Sequence, residues 1–204
     1  MKLHYAPRTI SVAVVIALHE AGLKFELQKL DFAAAEQTGA AYRGINPKGR
    51  VPALETADGI LTETGAILDY IGAIAPGAGL VPADPFAAAR MRAVMYYLAS
   101  TMHVNHAHKM RGSRWADRQS SFDDMAAKVP QTMTDSARYV EEHCLAGPLV
   151  MGAAPTLADP YLYVVSGWLE GDGVDLGPFP RIRAFREAME ARASVRAVRD
   201  AGML

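Results

Sequence analysis

The chain has 204 residues, of which 50% are hydrophobic and 21% are charged, so it can bury a core as one or two domains. Its 21 basic and 22 acidic side chains leave a formal net charge of -1, which gives no electrostatic reason to expect nucleic acid or a membrane surface as a partner. The single cysteine, Cys144, cannot form an internal disulfide, and no apolar run is typical of a signal peptide or a membrane span. We therefore expect a cytoplasmic protein.

The first thirty residues predict a strand, a helix and a second strand. The opening Lys2–Tyr5 is short and strand-like. The apolar stretch 12–18 predicts a helix, and Gly22, a residue type that often ends a helix, follows it. Residues 25–30 then alternate apolar and polar side chains. This period of two predicts a strand with one buried face.

A loop, a hairpin and a helix follow. Residues 46–50 are a cluster of turn formers, and apolar runs flank Asp58 and Gly59, a dipeptide that strongly favours a hairpin turn. Apolar residues then recur at helical spacing over 67–74 until Pro76 and Gly77 end the pattern. The segment up to residue 85 is rich in proline, glycine and alanine and predicts a linker.

Beyond the linker the apolar pattern is helical throughout, with stripes over 91–102 and 122–133. Pro130 falls inside the second stripe, where it predicts a kink or a break. Thr156 and Asp159 form a capping-box pattern that predicts a helix from residue 157 to about residue 169. A further helix follows Pro180, and the Arg-rich end from Arg192 is expected to be its solvated tail.

Three stretches together resemble the glutathione transferase superfamily over essentially the whole chain. Residues 2–7 look like the first strand of bacterial members, and residues 46–54 and 61–67 look like the two glutathione-binding stretches. The sequence is most similar to bacterial beta-class-like members. The resemblance implies an α/β plus all-α fold, with a thioredoxin-like domain over 1–78, a linker over 79–85 and an all-helical C-terminal domain over 86–204.

The glutathione-binding residues that the resemblance implies are Arg50, Val51, Pro52, Glu63 and Thr64. If the bond before Pro52 is cis, Val51 turns its backbone N–H and C=O outward, where an extended peptide can pair with them; an ordinary trans turn is the alternative. Glu63 and Thr64 open a helix, whose free N–H groups can hold a carboxylate while Glu63 pairs with an ammonium group. Simple capping of the helix is the other interpretation, and the two roles are compatible.

The catalytic group is less clearly marked. Beta-class-like members place a cysteine in the turn after the first strand, but the matching residue here is Ile10. The hydroxyls of Thr9 and Ser11, at the start of the first helix, are about equal candidates for stabilising a glutathione thiolate, and Tyr5 is the third. The segment ending at His103 resembles the one whose histidine points at the thiol, which makes His103 a further candidate.

A second group of candidates belongs to the pocket for the acceptor, and its members are Tyr96, His106, Arg111 and Trp115. His106 lies one turn beyond His103 on the same face of a helix. The histidines at 103, 106 and 108 do not predict a metal site, because no cysteine or carboxylate lies near them in sequence. Cys144 has apolar neighbours and is predicted to be an inert buried thiol.

The resemblance implies a homodimeric glutathione transferase that conjugates the glutathione thiolate to small hydrophobic electrophiles, as in detoxification. Glutathione is the expected co-substrate, and no metal is expected. Ile10 leaves open a non-catalytic or regulatory glutathione-binding protein with the same fold. A glutathione-dependent isomerase, peroxidase or dehalogenase is the third possibility.

Overall fold

A computed structural model describes all residues from 1 to 204. The chain forms two compact units, the first of residues Met1–Pro82 with Glu190–Leu204 and the second of residues Ala83–Met189. The sequence-based division keeps residues 190–204 with the rest of 86–204, whereas these residues pack within the first unit. None of the helices combines the length and the apolarity that a membrane crossing requires.

The first unit contains a four-stranded sheet with the order β2-β1-β3-β4. Its strands are β1 (Lys2–Tyr5), β2 (Glu26–Lys29), β3 (Ala53–Thr56) and β4 (Gly59–Thr62). The pairing of β1 with β2 is parallel, whereas β3 pairs antiparallel with both β1 and β4. The predicted strand-helix-strand unit and hairpin are therefore confirmed, and together they give the thioredoxin-like arrangement that the resemblance implies.

Helices make up most of the remaining structure. In chain order the α-helices are α1 (Ser11–Glu20), α2 (Ala40–Arg43), α3 (Thr64–Ile74), α4 (Pro85–Tyr97), α5 (His103–Ala107), α6 (Gln119–Tyr139), α7 (Ala158–Ser166), α8 (Pro180–Glu190) and α9 (Ala193–Asp200). Short 3-10 turns lie at Glu36–Thr38, Pro76–Ala78, Gly112–Arg114 and Glu170–Asp172, and π-helical turns at Leu98–Met102 and Val140–Cys144. The second unit is thus all-helical, as predicted.

Strand β2 differs from the sequence-based expectation. All four of its residues are exposed, including Leu27 at 38%, so the prediction of a buried face is wrong for the strand itself. Of the predicted stretch 25–30, only Leu30, just beyond the strand, is buried. The strand lies at the edge of the sheet and pairs only with β1. Alternation shows which face of a strand can be buried, but it does not show whether another element covers that face.

Helix α1 is the centre of the first unit. Every residue from Ser11 to Leu18 is buried, and the helix packs against α3 and α9. A helix that is apolar on all sides can be stable only when it is surrounded. The left-handed conformation of Gly22, at φ 64°, follows its C-terminal end.

The C-terminal segment is tied to the end of α1. Arg192, the residue before α9, donates two hydrogen bonds of 2.6 Å to the Glu20 carboxylate, and the Ser194 hydroxyl donates a further one. Val195 and Val198 of α9 are fully buried. The expectation of a solvated Arg-rich tail is therefore wrong, because its partner lies at the opposite end of the sequence.

Two helices of the second unit also depart from the predicted pattern. Helix α6 runs through Pro130 without a break, because Pro130 removes only one backbone hydrogen bond while the buried Val129 and Met133 hold the helix on both sides. Helix α7 ends at Ser166, before the predicted end, and the chain continues as a turn. The start of α7 agrees with the capping-box pattern: the buried Asp159 carboxylate accepts from the Thr156 N–H at 2.6 Å and from the Thr156 hydroxyl at 2.9 Å.

We predict that replacing Arg192 with alanine lowers the free energy of unfolding by about 2 kcal/mol at pH 7, the scale of hydrogen bonds to a charged group. Burial alone would raise the pKa of Glu20, but the hydrogen bonds from Arg192 and Ser194 lower it below its ordinary value. The stabilisation is therefore complete above the pKa of an unfolded glutamate, about 4.3, and is lost as the pH falls through the lower pKa of folded Glu20. Urea denaturation between pH 7 and pH 3 measures the difference.

The control is Arg90→Ala, which removes an exposed arginine of α4. Its unfolding free energy should stay within experimental error of the parent protein. An Arg192→Ala protein as stable as this control at pH 7 would contradict the assignment, as would a deficit that persists unchanged at pH 3.

Candidate active site

The turn between β1 and α1 is closed by two hydroxyl groups. The oxygen atoms of Thr9 and Ser11 lie 2.6 Å apart, and the Thr9 hydroxyl donates to the Ala6 carbonyl at 2.8 Å. The Ser11 oxygen also accepts from the Ala6 N–H at 3.1 Å. The structure therefore brings together the two predicted thiolate-stabilising hydroxyls at the N-terminal end of α1, with Ser11 fully buried and Thr9 partly exposed.

Tyr5 and Ile10 flank this turn. Tyr5 is 8% exposed at the end of β1, and Ile10, the residue before α1, is 5% exposed. An open cleft of about 490 Å³ lies on one side of the turn, lined by Ala6, Pro7, residues 29–33 and Glu36. Ile10 offers no nucleophile, so any stabilisation of an anion at this turn must come from hydroxyl groups and from the N-terminus of the helix.

The loop before β3 presents Val51 beside the sheet. The Val51-Pro52 bond is cis, and β3 begins only at Ala53, so Val51 lies outside the paired register. The preceding carbonyl, that of Arg50, accepts from the Tyr42 hydroxyl at 2.8 Å and from the Asn46 amide at 2.6 Å. The backbone N–H and C=O of Val51 therefore lie just before β3, outside the strand pairing, where an extended peptide could form hydrogen bonds with them.

Tyr42 and Gly49 hold this loop in place. Burial raises the pKa of Tyr42 to about 12, so the phenol keeps its proton and donates it to the loop. Gly49 has φ 62°, and a Cβ atom there would lie 2.9 Å from the Gln37 carbonyl oxygen. Only glycine combines that conformation with that close approach.

Glu63 and Thr64 begin helix α3. Glu63 has φ 72°, and Thr64 is the first helical residue, where backbone N–H groups lack partners within the helix. The Glu63 carboxylate is mostly exposed and lies 2.9 Å from the Lys48 ammonium group, which also donates to the Thr62 hydroxyl at 2.7 Å. In this position Glu63 already holds one ammonium group, beside a helix terminus that favours a carboxylate.

The second unit contains a cluster of two histidines on one tryptophan. The rings of His103 and His106 lie 5.0 Å and 4.2 Å from the Trp168 ring, centroid to centroid. The Nδ1 atom of His106 lies 2.6 Å from a carboxylate oxygen of Asp172, whose side chain is 1% exposed. Lys109 donates to the Gly171 carbonyl and lies 3.4 Å from the other Asp172 oxygen.

The remaining acceptor-pocket candidates make no hydrogen bond or ring contact with the cluster on Trp168. Trp115 packs against His108, with 4.5 Å between the ring centroids, and Tyr96 is 60% exposed. Arg111 is exposed as well. No hydrogen bond or ring contact joins Tyr96, Arg111 or Trp115 to His106, and no group of side chains in the chain is arranged to hold a metal ion.

Comparison with known proteins agrees with this architecture. Residues 1–73 match the family model for the glutathione S-transferase N-terminal domain. A glutathione S-transferase of Escherichia coli O157:H7 is 30% identical over 96% of this chain and 95% of its own. The chain belongs to the glutathione S-transferase family.

Two further proteins are similar to this chain over nearly its whole length. A glutathione transferase homolog from Sulfitobacter, solved with bound glutathione, is 63% identical with a TM-score of 0.98, covering 100% of this chain and 98% of its own. A maleylacetoacetate isomerase of Pseudomonas aeruginosa is 30% identical over 96% of this chain and 94% of its own. The transferase resemblance inferred from the sequence is therefore confirmed.

Sequence reasoning missed Trp168, Asp172 and Lys109. The first two lie in a glycine-rich segment that follows α7 and carries no motif, and Asp172 is 66 residues from His106. Lys109 follows the histidines but resembles any exposed lysine. Only the turn at Glu170–Asp172 brings the carboxylate to the imidazole.

Cys144, in contrast, is as the sequence predicts: a buried thiol at the end of a π-helical turn. Burial raises the pKa of this thiol from 9.0 to about 11, so its thiolate fraction at pH 8 is about 100-fold smaller than that of an unshifted thiol.

We predict that a disulfide reagent modifies Cys144 in the native protein at least that much more slowly than in the unfolded chain. The rate is measured by the absorbance of the thiolate that the reagent releases. Equal rates in buffer and in denaturant would show that Cys144 is accessible and reactive.

Proposed function

We propose that this chain binds glutathione on its first unit and conjugates the glutathione thiolate to small hydrophobic electrophiles. The observation that carries the proposal is the Glu63 carboxylate, which holds an ammonium group at the N-terminus of α3. The γ-glutamyl end of glutathione has an ammonium and a carboxylate on one carbon. Glu63 would bind the ammonium group of glutathione in place of that of Lys48. Thr64 and the N-terminus of the helix would bind the γ-glutamyl carboxylate.

The peptide part of glutathione would pair with the loop before β3. Val51 is held at the end of β3 by the hydrogen bonds that fix Arg50. An extended peptide can add main-chain hydrogen bonds to such an end. Arg50, Val51 and Pro52 therefore form the proposed peptide-binding stretch.

Stabilisation of the thiolate is assigned to the turn before α1, and the geometry favours Thr9 over Ser11. Ser11 is fully buried, and its oxygen is committed to Ala6. The Thr9 hydroxyl is partly exposed and can give up its hydrogen bond to the Ala6 carbonyl, because the Ser11 hydroxyl can also donate to that carbonyl, at 3.2 Å. Thr9 would then donate to the sulfur while Ser11 closes the turn, with Tyr5 and His103 as the other candidates.

The proposal extends to the biological setting. We propose a cytoplasmic homodimer that acts in detoxification, with residues 1–78 as the glutathione-binding domain. Of the predicted helical domain 86–204, residues 86–189 would take the acceptor, because residues 190–204 pack within the first unit. A non-catalytic role is less well supported, because the chain belongs to a family of transferases. Isomerisation is less well supported too, because the solved relative that is 63% identical is described as a transferase homolog.

We predict that reduced glutathione binds saturably in a calorimetric titration and that Glu63→Gln weakens binding by about 10- to 100-fold. The neutral amide removes the charge that binds the ammonium, and a hydrogen bond to a charged group contributes about 1.5–3 kcal/mol. Glu26→Gln, which neutralises an exposed carboxylate of β2, is the matched control and should bind as the parent protein does. No binding by the parent, or equal binding by the Glu63→Gln protein, would overturn the site.

A second prediction concerns the bound thiol. In the parent protein, thiolate absorbance of bound glutathione should appear at a lower pH than that of free glutathione, whose thiol titrates near the ordinary value of about 8.5. Replacing Thr9 with alanine should shift this titration back toward the free value. Ser11→Ala should instead lower the thermal stability, because Ser11 closes the turn.

The alternatives give different results. A shift lost in Tyr5→Phe or His103→Ala but kept in Thr9→Ala would move the assignment to that side chain. If the thiol of bound glutathione titrates as it does in solution in the parent protein, the proposal of a thiolate-forming site is wrong.

A further inference from the structure

His4 is a buried histidine of the first unit with no part in the site described above. It is the third residue of β1 and is 3% exposed. Its Nε2 atom lies 2.5 Å from a carboxylate oxygen of Glu55 in β3, and its ring packs on that of Tyr42, with 5.5 Å between the centroids. The other ring nitrogen, Nδ1, is buried without a hydrogen-bond partner.

The hydrogen bond between His4 and Glu55 has a defined direction. The hydrogen bonds from His4 and from Lys2 lower the pKa of the Glu55 carboxyl group below its ordinary value, so this group is an ionised carboxylate at neutral pH and can only accept. The Nε2 atom of His4 therefore carries a proton and donates it to Glu55. A hydrogen bond to a charged acceptor is stronger than one between neutral groups.

A buried histidine in this position is costly. An unpaired polar nitrogen inside a protein loses its hydrogen bonds to water and gains none in exchange, whereas a phenylalanine could pack against Tyr42 with no polar atom to satisfy. Buried polar atoms without partners are few in native proteins, and departures from local rules of this kind concentrate at functional sites. The cost of His4 therefore points to a contribution other than stability.

The peptide-binding stretch lies where the backbone pairing of β1 with β3 ends. The two strands pair over three residues, and the pair next to the stretch is His4 with Ala53. Pro52 has no N–H and cannot continue the ladder. The position of Val51 relative to the sheet therefore depends on the contacts that fix the first residues of β3.

His4 and Tyr42 support the two ends of this stretch. The Tyr42 hydroxyl donates to the Arg50 carbonyl at 2.8 Å, at the start of the stretch. At its other end, His4 pairs through its backbone with Ala53 and through its side chain with Glu55, two residues further along β3. The contact between the two rings joins these supports. His4 thus connects the start of the stretch with the strand that follows it.

We propose that His4 is a positioning residue for glutathione, and that its hydrogen bond to Glu55 holds the peptide-binding stretch in its binding geometry. This inference rests on the proposed function, because it concerns the stretch to which the peptide part of glutathione would bind. His4 itself does not contact glutathione in this assignment. Its loss therefore lowers the affinity for glutathione without removing any group that binds the tripeptide.

The test compares His4→Phe with His4→Gln. Phenylalanine keeps a ring against Tyr42 but has no donor for Glu55, whereas the glutamine amide nitrogen takes nearly the position of Nε2 and can donate to the same carboxylate. In a calorimetric titration with reduced glutathione, we expect His4→Phe to weaken binding by about 3- to 10-fold, the scale of substitutions that act through a packed network. His4→Gln should bind as the parent protein does.

Thermal unfolding separates positioning from structural support. His4→Phe removes a hydrogen bond but also removes a buried unpaired nitrogen, so its unfolding temperature should stay within about 4 °C of the parent value. His4→Gln places a polar amide where the phenyl ring packs, so it should unfold at a lower temperature than His4→Phe and yet bind glutathione more tightly. A purely structural role would order the two variants in the same way in both measurements.

Glu55→Ala tests the same hydrogen bond from its other partner. The Glu55 side chain is 32% exposed, so its removal leaves no large buried cavity. This variant should weaken glutathione binding as much as His4→Phe does. The double variant should bind no more weakly than either single variant, because both substitutions remove one and the same hydrogen bond.

His19→Phe is the matched control, because it makes the same exchange at an exposed histidine of α1, and it should bind as the parent protein does. Parent-like binding by His4→Phe would overturn the inference. So would a His4→Gln protein closer in affinity to His4→Phe than to the parent, or single losses that multiply in the double variant. If His4→Phe does not fold, parent-like binding by Glu55→Ala overturns it.

Failure of this inference can be told apart from failure of the proposed function. A parent protein that binds glutathione, with binding weakened by Glu63→Gln but not by His4→Phe, would overturn the role of His4 alone. A parent protein that does not bind glutathione would overturn both.

Discussion

Complete burial of α1 is the constraint on which the rest of the first unit depends. Eight consecutive residues of this helix are removed from solvent, so no polar group can be placed along its length without a partner. Polar chemistry is confined to its two ends. At the N-terminal end the hydroxyls of Thr9 and Ser11 close the turn on Ala6, and at the C-terminal end Glu20 is paired with Arg192.

This division explains why a site can form at one end and a structural tie at the other. The positive end of the helix dipole attracts an anion at the turn before Ser11, whereas an acidic residue in the last turn is unfavourable unless a cation compensates it. Arg192 supplies that cation in a bidentate arrangement. The absence of a cysteine at Ile10 leaves the helix terminus and the hydroxyls as the means of stabilising a thiolate there.

The second unit uses buried charge in a different way. A carboxylate as deeply buried as Asp172 is costly unless it is paired, and His106 and Lys109 both pair with it. The pairing holds the imidazole of His106 against the Trp168 ring. The same segment after α7 supplies the ring and the carboxylate, so the stacking and the hydrogen bond of His106 depend on one turn.

The sequence by itself determined the thioredoxin-like and helical organisation, the hairpin, the cluster at Thr9 and Ser11 and the adjacent pair at Glu63 and Thr64. These features depend on local periodicity, turn chemistry and helix starts, which neighbouring residues decide. Only the tertiary structure decided that no residue of β2 is buried, that Arg192 reaches Glu20 and that Asp172 reaches His106. Such contacts join residues far apart in the chain, and burial and pairing at that distance follow from packing, which no local pattern of residues specifies.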